Sequence, residues 1–172
     1  MMDEIINRVA NSPLISFDLE DYYHQGERVV LDIKDVLFQG LILREKDFRD
    51  FVKEQDWSTY EGKNVAITCS ADAIVPTWAY MLLSVKLEPF AHLVVFGSLS
   101  DLENALYREA LSKVDLEQFR DKPVVVKGCS NVDVPTYAYV EISRLLRPVA
   151  KTIMYGEPCS TVPIYKRPKQ KV

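Results

Sequence analysis

Glycine and histidine are scarce in this chain of 172 residues, with six of the first and two of the second. No G-x-G-x-x-G or G-x-x-x-x-G-K string occurs. The common phosphate-cradling loops are therefore excluded. Neither histidine is placed to activate a serine as a nucleophile. Basic residues are not in excess: 21 Lys and Arg stand against 25 Asp and Glu, a net charge of -4. A groove that neutralises phosphates needs clustered Lys and Arg, which excludes nucleic acid as a partner. No run reaches the roughly 18 apolar residues of a membrane span. The start, Met1 to Val9, is acidic and lacks the apolar core of a signal peptide. The expectation is a cytoplasmic protein that binds neither membrane nor nucleic acid. No Pro/Gly/Ser-rich linker divides the chain, so one domain is expected over 1–172. It has an irregular or briefly helical stretch over 1–25 and a flexible basic tail over 166–172.

Cysteine is scarce too, and all three copies stand in one repeated context. Cys69-Ser70-Ala71-Asp72-Ala73-Ile74-Val75-Pro76-Thr77-Trp78-Ala79-Tyr80 reappears as Cys129-Ser130-Asn131-Val132-Asp133-Val134-Pro135-Thr136-Tyr137-Ala138-Tyr139. A shorter form, Cys159-Ser160-Thr161-Val162-Pro163-Ile164-Tyr165, follows near the end. The repeat reads as an old duplication of a strand-loop-helix unit or as convergence on a shared site.

The chain around these copies alternates. Asp3 to Val9 suits a short helix, and 18–24 a loop or short strand. Val29 to Ile33 and Val36 to Phe38 read as antiparallel strands at a sheet edge. Phe48, Phe51 and Val52 recur at helical spacing between Arg44 and Gln55. Short apolar runs at Asn64 to Thr68, His92 to Phe96, Pro123 to Lys127 and Thr152 to Tyr155 read as strands. Helices fit Pro76 to Glu88, Asp101 to Val114 (capped by Ser98 or Ser100) and Pro135 to Arg147. The first of these is apolar almost all round, which predicts deep burial. Continuous apolar strands separated by helices predict an α/β fold. It has three layers: a mostly parallel sheet with helices on both faces and an antiparallel N-terminal edge.

This pattern sets Cys69, Cys129 and Cys159 just beyond strand ends, where open α/β sheets bind ligands. Pro76 and Pro135 suit a first helical position; if the helices start one residue later, Thr77 and Thr136 suit N-caps. The first turns carry no Asp or Glu, so the helix dipoles are free to stabilise a thiolate. The leading expectation is a soluble zinc- or iron-binding protein with Cys69, Cys129 and Cys159 as ligands, and Asp72 as the best further candidate. Ser70, Ser130, Ser160, Thr77, Thr136 and Glu157 then line the pocket or support the ligands. Two alternatives use the same cysteines: an iron–sulfur cluster or sulfur-metabolism accessory protein, and a non-enzymatic structural module with buried thiols. Asp133 and the turn Gly97 to Asp101 lie at the same edge but read as loop or helix caps. His92 begins a strand and so belongs to the opposite edge; His24 fits no element.

Asp32-Ile33-Lys34-Asp35, Gln39-Gly40-Leu41-Ile42-Leu43-Arg44-Glu45-Lys46, Thr68-Cys69-Ser70, Lys127-Gly128-Cys129-Ser130 and Tyr155-Gly156-Glu157-Pro158-Cys159-Ser160 together resemble a bacterial family. It is catalogued as domain of unknown function 2480. The resemblance spans nearly the whole chain. It implies a small soluble bacterial protein with no established activity. It also implies genes placed near iron–sulfur cluster assembly genes, and hence iron–sulfur assembly proteins as partners.

Overall fold

Short β-branched runs alternate with helices, and the strands pair accordingly. A computed structural model describes residues 13–128 and 131–168. The helix expected over Asp3 to Val9, Cys129, Ser130 and the last tail residues lie outside them. The described elements are β1 (Ile15–Asp18), β2 (Arg28–Asp32), α1 (Glu45–Glu54), β3 (Asn64–Thr68), α2 (Thr77–Leu87) and β4 (Leu93–Phe96). They continue with α3 (Leu99–Ser112), β5 (Pro123–Lys127), α4 (Thr136–Leu146), β6 (Thr152–Glu157) and β7 (Ser160–Lys166). The α/β class and predominantly parallel pairing match the sequence pattern.

Two sheets form rather than one. The first has the order β1-β5-β6-β7, the second β2-β3-β4. All neighbours are parallel except β6 and β7. The antiparallel edge is therefore C-terminal, not N-terminal. β2 pairs parallel with β3, and the run after it turns away at once, because Asp32 caps a 3-10 turn over Ile33–Val36. Of the expected second strand only an isolated bridge between Phe38 and Ile42 forms.

The chain divides into two compact units. One is split in sequence: it holds the described residues up to Tyr23 and those from Tyr107 on. The other, His24–Leu106, is inserted between them. The split unit packs Phe17, Val124, Val126 and Ile153 of its sheet against Tyr107, Leu111, Ala138, Ile142 and Leu146. In the inserted unit Val65 and Ile67 face α1 and α2 through Phe48, Val52, Ala79, Leu83 and Leu87. Ala66 faces Leu102 and Leu106 on the other side, as strand alternation requires.

The two units repeat one another. Each opens with an edge strand ending in Asp (Asp18, Asp32) whose carboxylate accepts the N–H two residues on. Each then has a 3-10 turn introduced by Asp56 or Asp115, a central strand, a helix and a parallel strand. Counterparts from that turn onward lie 59 residues apart. Gly62 and Asp121 share positive φ values of 68 and 59°, and Gly97 and Gly156 values of 135 and 115°. The Gly62 N–H donates to the Phe90 carbonyl and the Asp121 N–H to the Val149 carbonyl, both at 2.9 Å. Ala79, Leu83 and Leu87 on α2 match Ala138, Ile142 and Leu146 on α4, all buried. No helix among the described residues is long and apolar enough to cross a membrane.

Candidate functional site

The expected metal centre is not found among the described residues, which include Cys69 and Cys159. Cys69 follows β3 in the inserted unit; it is half-buried, and its thiol donates to the Ala71 carbonyl at 3.7 Å. Cys159 is exposed and joins two strands of the other sheet. It lies in a hairpin turn, because β6 runs on to Glu157 and the chain reverses through Pro158 and Cys159 into β7. No group of three or more His, Cys, Asp or Glu side chains that could hold a metal ion occurs among the described residues. The zinc, iron and iron–sulfur readings of these cysteines are thereby overturned. So is the module of buried thiols, since neither described cysteine is buried. Asp72 is exposed, and Glu157 pairs with Ser160 across the hairpin. Thr77 and Thr136 are the first helical residues rather than caps; Pro76 and Pro135 hold the cap positions and no side chain bonds there.

The loops that follow the Cys-Ser strings are tied down in each unit by a carboxylate. In the inserted unit Asp32 accepts the Ser70 hydroxyl at 2.5 Å and the Ser70 N–H at 3.1 Å. Burial pushes the Asp32 pKa up, but the Ser70 bonds, the Lys34 N–H and the Lys34 charge outweigh it. The carboxyl ends below its ordinary range. In the split unit Glu20 accepts both the backbone and the side-chain N–H of Asn131 at 3.0 Å. Asp18, the counterpart of Asp32, pairs with Lys127 at 3.0 Å. Burial raises the Tyr80 hydroxyl, and the nearby Cys69 and Asp32 add to the rise.

Beside each loop lies a cleft between helix and strand, and the clefts correspond residue by residue. In the split unit Val126, Tyr139, Ser143, Ile153, Met154 and Tyr155 line about 350 Å³. In the inserted unit Ile67, Tyr80, Ser84, Val94, Val95 and Phe96 line about 390 Å³. Tyr139 meets Tyr155 edge to face at 5.8 Å, as Tyr80 meets Phe96 at 4.9 Å. Thr136 also lines the first cleft. It is one of the pocket residues expected from sequence.

The clefts differ at their outer edge. In the split unit β7 pairs antiparallel along β6, setting Val162 opposite Tyr155, and Ile164 becomes a wall of the cleft. In the inserted unit β4 is the end strand among those described. Around it Met81, Val85 and Phe96 are 64, 69 and 68% exposed. The expected deep burial of α2 is thus overturned on one face. Only its Ala79, Leu83 and Leu87 stripe is buried, because the sheet covers one side of the helix.

Two features escaped the sequence reading. The two histidines stack, with ring centroids 4.2 Å apart, and His24 Nδ1 accepts from the Gly26 N–H beside the buried Asn64. Arg28 is held by Glu103 and by the carbonyls of His24 and Gly26. Neither has a local sequence signal, since His92, Asn64 and Glu103 come from distant segments and the nearby partners of Arg28 are backbone carbonyls, which any residue supplies. The 59-residue spacing was legible, had residues other than cysteine been aligned.

No curated protein and no solved structure matches the chain. A family model described as "Protein of unknown function (DUF2480)" matches residues 3–167, and the chain belongs to that family.

Proposed function

We propose that this chain is a protein-interaction module whose inserted unit accepts a β-strand along β4, over the cleft lined by Tyr80 and Phe96. One observation carries the reading: the equivalent strand β6 is covered by β7, whereas among the described strands β4 ends its sheet, with Met81, Val85 and Phe96 exposed beside it. An end strand presents a row of unpaired N–H and C=O groups, which a further strand can satisfy. The helix agrees. Met81 and Val85 are one turn apart on the outer face of α2, where α4 carries Val140 and Arg144. Arg144 is paired with Glu141. The two helices differ at the second of these positions, an exposed Val85 on α2 against a salt-bridged Arg144 on α4, while the first is apolar in both. Exposed apolar groups clustered in this way mark binding surfaces. Free thiols such as Cys69 and Cys159 suit a reducing compartment, and we place the protein in the cytoplasm.

Hydrogen exchange with a synthetic peptide of the β7 sequence, Ser160 to Lys166, tests strand acceptance. Adding peptide to the dilute, monomeric protein is expected to slow exchange of the Leu93 to Phe96 amides in the wild type. It should leave a Met81→Lys, Val85→Lys variant unchanged. Absence of protection at saturating peptide would overturn the reading.

A further inference from the structure

We infer that the strand received by β4 is β4 of a second copy of this chain, paired antiparallel about a two-fold axis. The inference rests on the strand-accepting reading and names its partner. Four described strands end a sheet: β1, β2, β4 and β7. β1 ends in Asp18, β2 carries Arg28 and Asp32, and β7 carries Pro163 and Lys166. Charges and proline are the usual protection of an edge against pairing with another chain. β4, Leu93-Val94-Val95-Phe96, alone has neither. That omission leaves the strand open to its own image.

The geometry of the edge is self-complementary. Antiparallel pairing of a strand with its copy is isologous, so each protomer contributes the same surface and the assembly closes at two. β7 shows that the position tolerates an antiparallel strand, since it occupies the matching place on β6. β4 spans four residues against six in β6, so a strand of its own length matches it without overhang. The flanking Met81, Val85 and Phe96 bring no charge to the axis. Their exposed surface is on the order of 400 Å², the size of a functional patch.

Sedimentation equilibrium of the full chain over roughly 1 to 200 µM, with hydrogen exchange at both ends of that range, tests the inference. The expected result is reversible dimerisation accompanied by protection of the Leu93 to Phe96 amides. Met81→Lys with Val85→Lys should weaken the dimer at least about a hundredfold, since two unpaired ammonium groups from each protomer would be buried. Both positions are exposed in one chain, so its far-ultraviolet spectrum should be unchanged, as should its melting at concentrations low enough for the wild type to be monomeric. Phe96→Lys serves as the second variant. A monomer throughout, with β4 still protected by the β7 peptide, overturns the second copy and leaves strand acceptance standing. A monomer that the peptide also fails to protect overturns both. A dimer that survives the lysine substitutions lies elsewhere on the molecule and overturns the inference.

Discussion

Asp32 is the residue on which the inserted unit's Cys-Ser loop depends. Its carboxylate caps the turn after β2 through the Lys34 N–H and holds Ser70 by two bonds. These bonds favour the charged form and leave its pKa lowered in the fold. A carboxyl lowered by folding contributes stability above its unfolded pKa of about 3.9, and loses it as pH falls through the folded value. Asp32→Asn is therefore expected to melt earlier than wild type at pH 7. The gap should close as the pH is lowered below about 4. Melting curves across that range check it, and a gap that persists unchanged in acid would show that the charge is not what matters. The same loop explains why the cysteines misled. Gly128 is an extra residue ahead of Cys129, so the Cys-Ser strings are out of step with a repeat whose strands and helices keep a constant spacing. The cysteines drew attention to a true duplication while standing at its least regular point. The third string, at Cys159, shares the letters but sits in a hairpin.

At the scale of elements, the glycines at the C-terminal ends of β4 and β6 are the tightest common requirement. Gly97 and Gly156 have φ values that side chains rarely adopt. An added Cβ would meet Asp101 Oδ2 at 2.4 Å in the first and the Ser160 carbonyl oxygen at 2.6 Å in the second. Gly97 leads into the cap of α3, where the Ser98 N–H and hydroxyl both donate to Asp101 and the Asp101 N–H returns to Ser98 Oγ. Gly156 leads into the β6–β7 hairpin. Gly97→Ala and Gly156→Ala should each cost about 1–3 kcal/mol, read by urea denaturation. A cost near zero would mean that the turns relax freely. Most elements were legible because β5 is a bounded apolar run and α1 and α3 show helical spacing. β1 was missed because four residues, Ile-Ser-Phe-Asp, carry too little pattern. The exposed face of α2 was hidden by its composition: when nearly every position is apolar, periodicity cannot say which side the sheet covers. Two sheets rather than one could not be read from strand order, since β1 pairs with β5 across the whole inserted unit.

For the whole molecule, the duplication makes a controlled comparison possible. Leu83 and Ile142 occupy matching places on α2 and α4, both fully buried. Each belongs to the core cluster of its own unit and to no other. Truncating a buried Leu or Ile to Ala removes transfer energy and leaves a cavity, at about 2–5 kcal/mol. If the two units are separate cooperative bodies, the loss stays in the unit that carries it. Leu83→Ala should speed amide exchange in β2, β3 and β4 and spare β5, β6 and β7. Ile142→Ala should do the reverse. α3 is the informative element, because the division between units falls inside it. Its Leu102 and Leu106 pack with Ala66, and its Tyr107 and Leu111 with the other core. Leu83→Ala should loosen its first half and Ile142→Ala its second. Exchange that rises evenly through both units in both variants would show a single folding body. The repeat would then be one of architecture alone, without independent stability in either half.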